Sequence, residues 1–355
     1  MNDATLAVGS LHALPGTKTR GTLRADLGTL TADIPLTLVN GARPGPRVVI
    51  TAGVHGGEFT PIDAVVRLAD RLEPGDVHGQ LIICPVANPP AVYQGRLNVS
   101  PVDGVNINRV FPGDPDGGPT ERLAAWLFTH LVDGADVYID LHCGGIDQVL
   151  KDFVGYRLTG DPDLDKATAE LARSFGIEDV ILGLTADGGN SHAAAARRGI
   201  SAVLVEVGSL GQRDEPTALS RVDGLLTALR HLGVLDQDGS APAPTREWVW
   251  SAGVTAEATG LWYPEFSLDA DADVIGEVAE GDVLGRIVDP AVGTEHTVLA
   301  SAGGRIFYAM HGLTVAPGAE LAALAVPWDP DTATRPDTLR TPGAGHGSDE
   351  TDPRT

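Results

Sequence analysis

Cysteine, lysine and aromatic residues are all scarce in this chain of 355 residues, and each scarcity removes a class of protein. Only Cys84 and Cys143 occur, both in or beside apolar stretches, so no disulfide framework is implied and the fold must rest on a hydrophobic core. Lysine stands only at 18, 151 and 166, and Asp plus Glu outnumber Lys plus Arg by 48 to 25, for a formal charge of -23. Nucleic acid and anionic membrane surfaces are bound through Lys and Arg, so neither is an expected partner. No run approaches the roughly 20 apolar residues of a membrane span. Residues 1–21 lack the basic start and apolar stretch of a leader. The expected location is cytoplasmic.

What is present is apolar material in quantity. With 43% hydrophobic residues the chain can bury a sizeable core, and its length exceeds that of most single domains. Between residues 48 and 72, VVITAGVHGGEFTPIDAVVRLADRL reads as a core strand, a Gly-rich loop and an amphipathic helix. Thr60 is the expected N-cap and Pro61 the first helical residue, with Ile62, Val65, Val66 and Leu68 on one stripe. His55 and Glu58 fall in the loop, at the carboxyl edge of a strand, where α/β proteins bind ligands.

A catalytic zinc needs three His or carboxylate ligands and one open position. The third ligand is found in DVYIDLHCGG, where alternating Val137, Ile139 and Leu141 mark another strand that ends at His142. A third apolar strand, ISAVLVEVG, carries Glu206 as its one ionisable residue, close to its carboxyl end, where burial would raise its pKa into the range of a general base. The polar segment 93–128 between the two ligand-bearing strands reads as an active-site loop. Its Arg96 and its pair Asn108 and Arg109 suit an anionic group, since a guanidinium matches a carboxylate in two parallel hydrogen bonds. Asn106, Asn108 and Arg109 would share a side if that segment were extended. A lone His at a strand end is more often a polar cap than a ligand; the combination of the four positions favours a metal site.

The ordered set GVHGGE, RLNVSPVDGVNINRVFPG, DLHCGG and VEVG, across roughly residues 45–325, resembles the succinylglutamate desuccinylase/aspartoacylase family, related to the zinc carboxypeptidases. The resemblance implies a zinc-dependent amidohydrolase that removes an acetyl- or succinyl-like group from a small N-acylated amino acid, with one Zn2+ per chain. It implies His55, Glu58 and His142 as zinc ligands, Glu206 as base, and Arg96 as the group that polarises the scissile carbonyl. It further implies Asn108 and Arg109 as the substrate-carboxylate grip and Asp140 as a partner that orients a ligand imidazole. Two alternatives stand beside it: a zinc carboxypeptidase acting on small peptides, and a non-catalytic zinc-binding protein. A Cys143 nucleophile is disfavoured for want of the surrounding pattern, and His192 is read as a loop residue at a helix start. Self-association of the chain is compatible with all of these readings.

Strands alternating with helices through residue 235 predict an α/β fold, a mostly parallel, mixed sheet flanked by helices, of zinc carboxypeptidase-like type. The catalytic domain is expected over 1–235 and a Pro- and Ala-rich linker over 236–248. Residues 249–326, rich in turns and short strands, predict a smaller all-β barrel-sandwich domain that caps the site, and 327–355 a disordered acidic tail. The β segment resembles biotinyl and lipoyl domains, but it contains no Lys to carry such a cofactor. Its Tyr263 and His311 are the candidates to reach substrate.

Overall fold

The structure is a computed structural model and describes residues 4–95, 98–237, 239, 243–268 and 276–329. Four strands open the chain: β1 (Leu6–Val8), β2 (Leu11–Ala13), β3 (Thr17–Asp26) and β4 (Thr31–Asn40). An alternating stretch follows: β5 (Arg43–Thr51), α1 (Phe59–Arg71), β6 (His78–Cys84), α2 (Pro119–Leu127), β7 (Val137–His142), β8 (Gln148–Leu150) and β9 (Phe153–Arg157). It continues through α3 (Pro162–Arg173), β10 (Asp179–Gly183), α4 (Ser191–Arg197), β11 (Ser201–Glu206) and α5 (Glu215–His231). The described remainder is β: β12 (Arg246–Thr255), β13 (Gly260–Pro264), β14 (Glu277–Val278), β15 (Val283–Val288), β16 (Glu295–Leu299), β17 (Gly304–Met310), β18 (Thr314–Val315) and β19 (Glu320–Pro327).

Thirteen of the strands form one mixed sheet, whose main path runs β14-β17-β19-β12-β10-β9-β11-β7-β5-β6-β4-β3. Its centre, β6-β5-β7-β11, is parallel. Each central strand buries both faces, as a parallel strand covered by crossover helices must. In β7, Val137, Ile139 and Leu141 join the core under α1, α3 and α5, while Tyr138 joins the opposite core with Leu123 of α2 and Ala194 of α4. The core strand expected at the start of the 48–72 segment is β5, and it lies in the middle of the sheet. Among the described residues no helix is long and apolar enough to cross a membrane.

Three local expectations are corrected. Strands β8, β9 and β10 were not legible: they are short, one contains Gly155, and Lys151 and Asp179 place charge in or beside them, although both charged residues are buried and paired at 3.4 Å. Helix α1 begins at Phe59 with Glu58 at its N-cap, not at Pro61 with Thr60 as cap, and the stripe that packs inward is Ala64, Val65, Leu68 and Ala69, with Val66 exposed. Asn106, Asn108 and Arg109 do not lie along an extended segment. The Asn106 side chain accepts from the Asn108 backbone N–H at 2.8 Å and closes a short turn over Ile107–Arg109.

The C-terminal strands continue the central sheet as well as forming a sheet of their own. β12 pairs parallel with β10 and antiparallel with β19, and its Arg246, Glu247 and Trp248 already lie in register with Asp179, Val180 and Ile181. The segment expected as linker up to residue 248 thus gives way to strand at Arg246. At the other end Pro327, expected to open a disordered tail, still pairs with Trp248, and the Trp328 N–H bonds to Glu247. Residues 330–355 lie outside the described residues. A four-stranded antiparallel sheet, β16-β15-β13-β18, packs over this extension around Trp262, Leu284, Ile287 and Ile306.

Candidate active site

Three adjacent parallel strands deliver the candidate residues to one sheet edge. His142 is the last residue of β7, Glu206 is the last residue of β11, and the two face each other in register. β5, on the other side of β7, runs out at Thr51 into the loop that carries His55 and Glu58. That loop is fixed by a crossing of backbones: Gly53 adopts φ +65°, and a Cβ there would lie 3.0 Å from the Pro85 carbonyl oxygen. Asn88 then ties the loop down, its backbone N–H donating to Gly53 O and its side-chain amide to Val54 O.

Glu58 sits at the N-cap of α1, yet its side chain makes no capping bond. Its carboxylate is instead turned to two imidazoles, with Oε1 at 2.7 Å from His55 Nδ1 and Oε2 at 2.9 Å from His142 Nδ1. All three side chains are buried, and their ligand atoms lie within 4.8 Å of one another; no other such group occurs among the described residues. The far side of each ring is also engaged. His142 Nε2 lies 3.0 Å from Asp140 Oδ2, and His55 Nε2 lies 3.0 Å from Asn106 Oδ1. Asp140, fully buried, also accepts from Thr51 Oγ1 at 2.6 Å and from the Ser191 hydroxyl.

Each ring meets acceptor oxygens at both nitrogens, Glu58 at Nδ1 and Asp140 or Asn106 at Nε2. A divalent cation would stand in for the hydrogens on the Nδ1 side, taking those lone pairs together with Glu58, while the Nε2–H groups donate to Asp140 and Asn106. The electrostatics show how strongly this cluster draws positive charge. Burial works against a charged His142, yet Asp140 and Glu58 drive its pKa well above the ordinary value. Burial likewise opposes the Glu58 carboxylate, but the two imidazoles hold its pKa down at about 2. The set of two His and one Glu fits a zinc ion.

A cavity of about 210 Å³ opens beside this group, lined by His55, Glu58, Arg109, Glu206, Tyr308 and Glu320 among others. Burial pushes the Glu206 carboxyl up to about 8, and its Oε2 is buried without a hydrogen-bond partner. Asn108 is buried, and its Oδ1 accepts from the Ser191 backbone N–H at 2.8 Å, which fixes the amide at the start of α4. Arg109 donates to the Asn108 carbonyl at 3.0 Å and lies within electrostatic reach of Glu320, Glu206 and Tyr308. Arg96 lies outside the described residues.

Several lining residues were not anticipated. Arg157 and His192 meet in the cavity wall, the guanidinium Nε donating to His192 Nε2 at 3.3 Å. His192 is on α4, buried and outside the metal-binding group. From the C-terminal strands the cavity receives Trp250, Tyr308, Glu320 and Ala323, and neither Tyr263 nor His311 lines it. Tyr263 is exposed beneath the Arg286 guanidinium, and the His311 backbone is tied to Asp147. No local motif marks Tyr308 or Glu320; only the pairing of β17 with β19 and of β19 with β12 carries them to the site. The Cys143 thiol is pushed well above its usual pKa by burial, which removes the thiolate a nucleophile needs.

Comparison with known proteins gives a consistent picture. Residues 44–232 match the succinylglutamate desuccinylase/aspartoacylase catalytic domain. The chain is 33% identical over 264 residues to an N-alpha-acetyl-L-2,4-diaminobutyric acid deacetylase from Halomonas elongata, covering 72% of this chain and 74% of the relative. Among solved structures, a succinylglutamate desuccinylase/aspartoacylase from Rhodobacter sphaeroides superposes with a TM-score of 0.75 at 30% identity, covering 88% of this chain and 96% of that one. The product-bound ectoine utilization protein EutE from Ruegeria pomeroyi superposes with a TM-score of 0.76 at 26% identity, covering 87% and 95%. The chain belongs to the succinylglutamate desuccinylase/aspartoacylase family.

Proposed function

We propose that this protein is a zinc-dependent deacylase of a small N-acylated amino acid, with His55, Glu58 and His142 as the metal ligands. The observation that carries the reading is the convergence of those three buried ligand atoms with the carboxyl of Glu206 at the ends of adjacent parallel strands. Zinc held there supplies Lewis acidity toward an amide carbonyl and lowers the pKa of water.

The protein's own groups account for the rest of the reaction. Glu206, raised in pKa and free of a hydrogen bond at Oε2, is suited to take a proton from water and return it to the amine that leaves. Asp140 and Asn106 hold the two imidazoles by their far nitrogens and so keep both Nδ1 atoms on the ligand side. Arg109 offers a guanidinium to the substrate carboxylate, and Asn108, which lines the cavity with its Oδ1 held by the Ser191 N–H, stands beside it in the same carboxylate grip. Arg96 keeps the carbonyl-polarising role that the family resemblance implies.

A cavity of about 210 Å³, closed on one side by residues of β12, β17 and β19, suits an amino acid bearing a short acyl group better than a peptide, which weighs against a carboxypeptidase. A purely structural zinc would not call for the unpartnered Glu206 or for Arg109 beside it. The Halomonas relative's name supports an acetylated amino acid as substrate. Acyl release from a panel of N-acyl amino acids, with and without a chelator, tests the reading.

A further inference from the structure

The cavity continues from the metal group down the face of the sheet, and one residue of its floor has no side chain. In the register of β11 and β9, Glu206 faces Phe153 and Leu204 faces Gly155; in that of β9 and β10, Gly155 faces Ile181 and Arg157 faces Gly183. Residues opposed across a ladder share a face, so Glu206, Phe153, Leu204, Gly155, Ile181 and Arg157 form one surface, and all six line the cavity. Leu204 is only half-buried although its strand is central, because the cavity opens over it.

Neither its own backbone nor crowding explains Gly155. Its φ lies outside the left-handed region, and the register of β9 with both neighbours runs through it unbroken. A Cβ built on it would meet Phe153 Cε2 at 3.5 Å, Leu204 Cβ at 3.7 Å and the Ile181 carbonyl oxygen at 3.8 Å, all ordinary contacts. Gly183 differs. A Cβ there would fall 2.5 Å from Arg157 Cδ, so that glycine makes room for the guanidinium as it crosses to His192 and Asn190 at the start of α4. A glycine inside a strand gives up packing and strand stability, and where neither a bulge nor a clash calls for it, the remaining use is close approach of a ligand. The walls around it are apolar and held in place: the Phe153 ring packs edge-on against Trp250 and Phe307, with centroids 5.6 and 6.1 Å away.

We infer that Gly155 is a specificity-determining residue: its bare backbone deepens the cavity into an apolar slot between Phe153, Leu204 and Ile181, which takes an unbranched alkyl chain borne by the substrate beside the scissile amide, on its acyl group or on its amino-acid side chain. The inference rests on the deacylase reading and adds what the cavity selects. Each methylene that leaves water for the slot adds apolar burial. A charged group on a chain of the same length would shed its hydration against three hydrocarbon side chains. Arg157, beyond the slot, is turned to His192 and Asn190.

The test uses the zinc-loaded full chain and two substrate series. One lengthens the acyl group on alanine, from acetyl through propionyl and butyryl to pentanoyl; the other lengthens the side chain under a fixed acetyl group, from alanine through norvaline to norleucine. In one of the two series kcat/KM is expected to rise about fourfold per methylene, and that series identifies which chain enters the slot. Gly155→Val should flatten the rise while leaving the shortest member close to its wild-type rate. Gly155→Ala, whose Cβ the structure accommodates, should lessen the rise and unfold at the same or a higher temperature, as removal of a strand glycine does. A lower unfolding temperature would make the glycine structural and overturn the inference. So would a wild type indifferent to length in both series, while hydrolysis of the shortest members keeps the deacylase reading. N-succinylalanine outpacing N-butyrylalanine, or N-acetylglutamate outpacing N-acetylnorvaline, would also overturn it and give Arg157 to the second carboxylate. Hydrolysis of no member counts against the deacylase reading alone. Calorimetric binding of both series to Glu206→Gln then decides: affinity that grows with chain length and is lost when Gly155→Val is added supports the slot, and equal affinities overturn it.

Discussion

His142 and Glu206 are register partners at the carboxyl ends of two adjacent parallel strands, so a candidate metal ligand and a candidate base are fixed relative to each other by the backbone ladder of β7 and β11. The Val207 N–H, bonded to the His142 carbonyl at 3.1 Å, carries the pairing one residue past Glu206. The two roles can therefore be separated by mutation. Glu206→Gln keeps the shape and the ladder, and the variant is expected to retain stoichiometric zinc while kcat falls by about 100-fold or more, the general-base contribution. Metal analysis and steady-state rates on the same preparation check this; full activity would remove Glu206 from the mechanism.

Asp140 meets the far nitrogen of His142 at 3.0 Å and does not line the cavity. Asp140→Asn presents an ambiguous amide where a carboxylate accepts from His142, Thr51 and Ser191. Zinc affinity, measured by competition with a chromogenic chelator, should weaken by about 10- to 100-fold. An unchanged affinity would mean that the imidazole holds its tautomer unaided.

Arg109→Ala removes the guanidinium assigned to the substrate carboxylate. The expected result is a raised KM with a smaller change in kcat, and a loss in kcat/KM of about 10- to 100-fold from one charge-assisted contact. If KM stays where it was, the carboxylate is bound elsewhere.

Phe307, fully buried on β17, packs edge-on against Trp248 and Trp250 of β12 and Phe153 of β9, and so links the C-terminal strands to the central sheet. Phe307→Ala should cost about 3–5 kcal/mol by loss of burial and creation of a cavity. Urea unfolding that follows zinc binding in parallel would show whether the site loosens with the strands. A cost below about 1 kcal/mol would mean that the aromatic cluster does not bind the two regions together.

The parts legible in the sequence were those where chemistry and local structure coincide. Val48, Ile50, Ile139 and Val203 announce their strands through apolar runs, and His55, Glu58, His142 and Glu206 stand at the exits of those strands, where the edge of a parallel sheet gathers side chains. What stayed hidden depends on pairing over long sequence distances. Strands β9 and β10 carry short patterns that fit loop as readily as strand, and only their insertion between β11 and β12 defines them. Glu320 and Tyr308 reach the cavity because β19 pairs with β12 and β17 with β19, and no feature of either residue's neighbours in sequence signals this. The turn at Asn106 was obscured for a different reason: an Asn side chain that caps its own backbone overrides the alternation that suggested an extended segment.

The central claim is a metal-dependent deacylation carried by His55, Glu58 and His142, and the most direct measurement is zinc content together with acetate or succinate release from N-acyl amino acids, before and after chelation. The account predicts close to one zinc per chain, release that is lost with the chelator and restored by added zinc, and loss of both zinc and release in His142→Ala. Release that persists in metal-free protein, or a folded chain that binds no divalent ion, would contradict it.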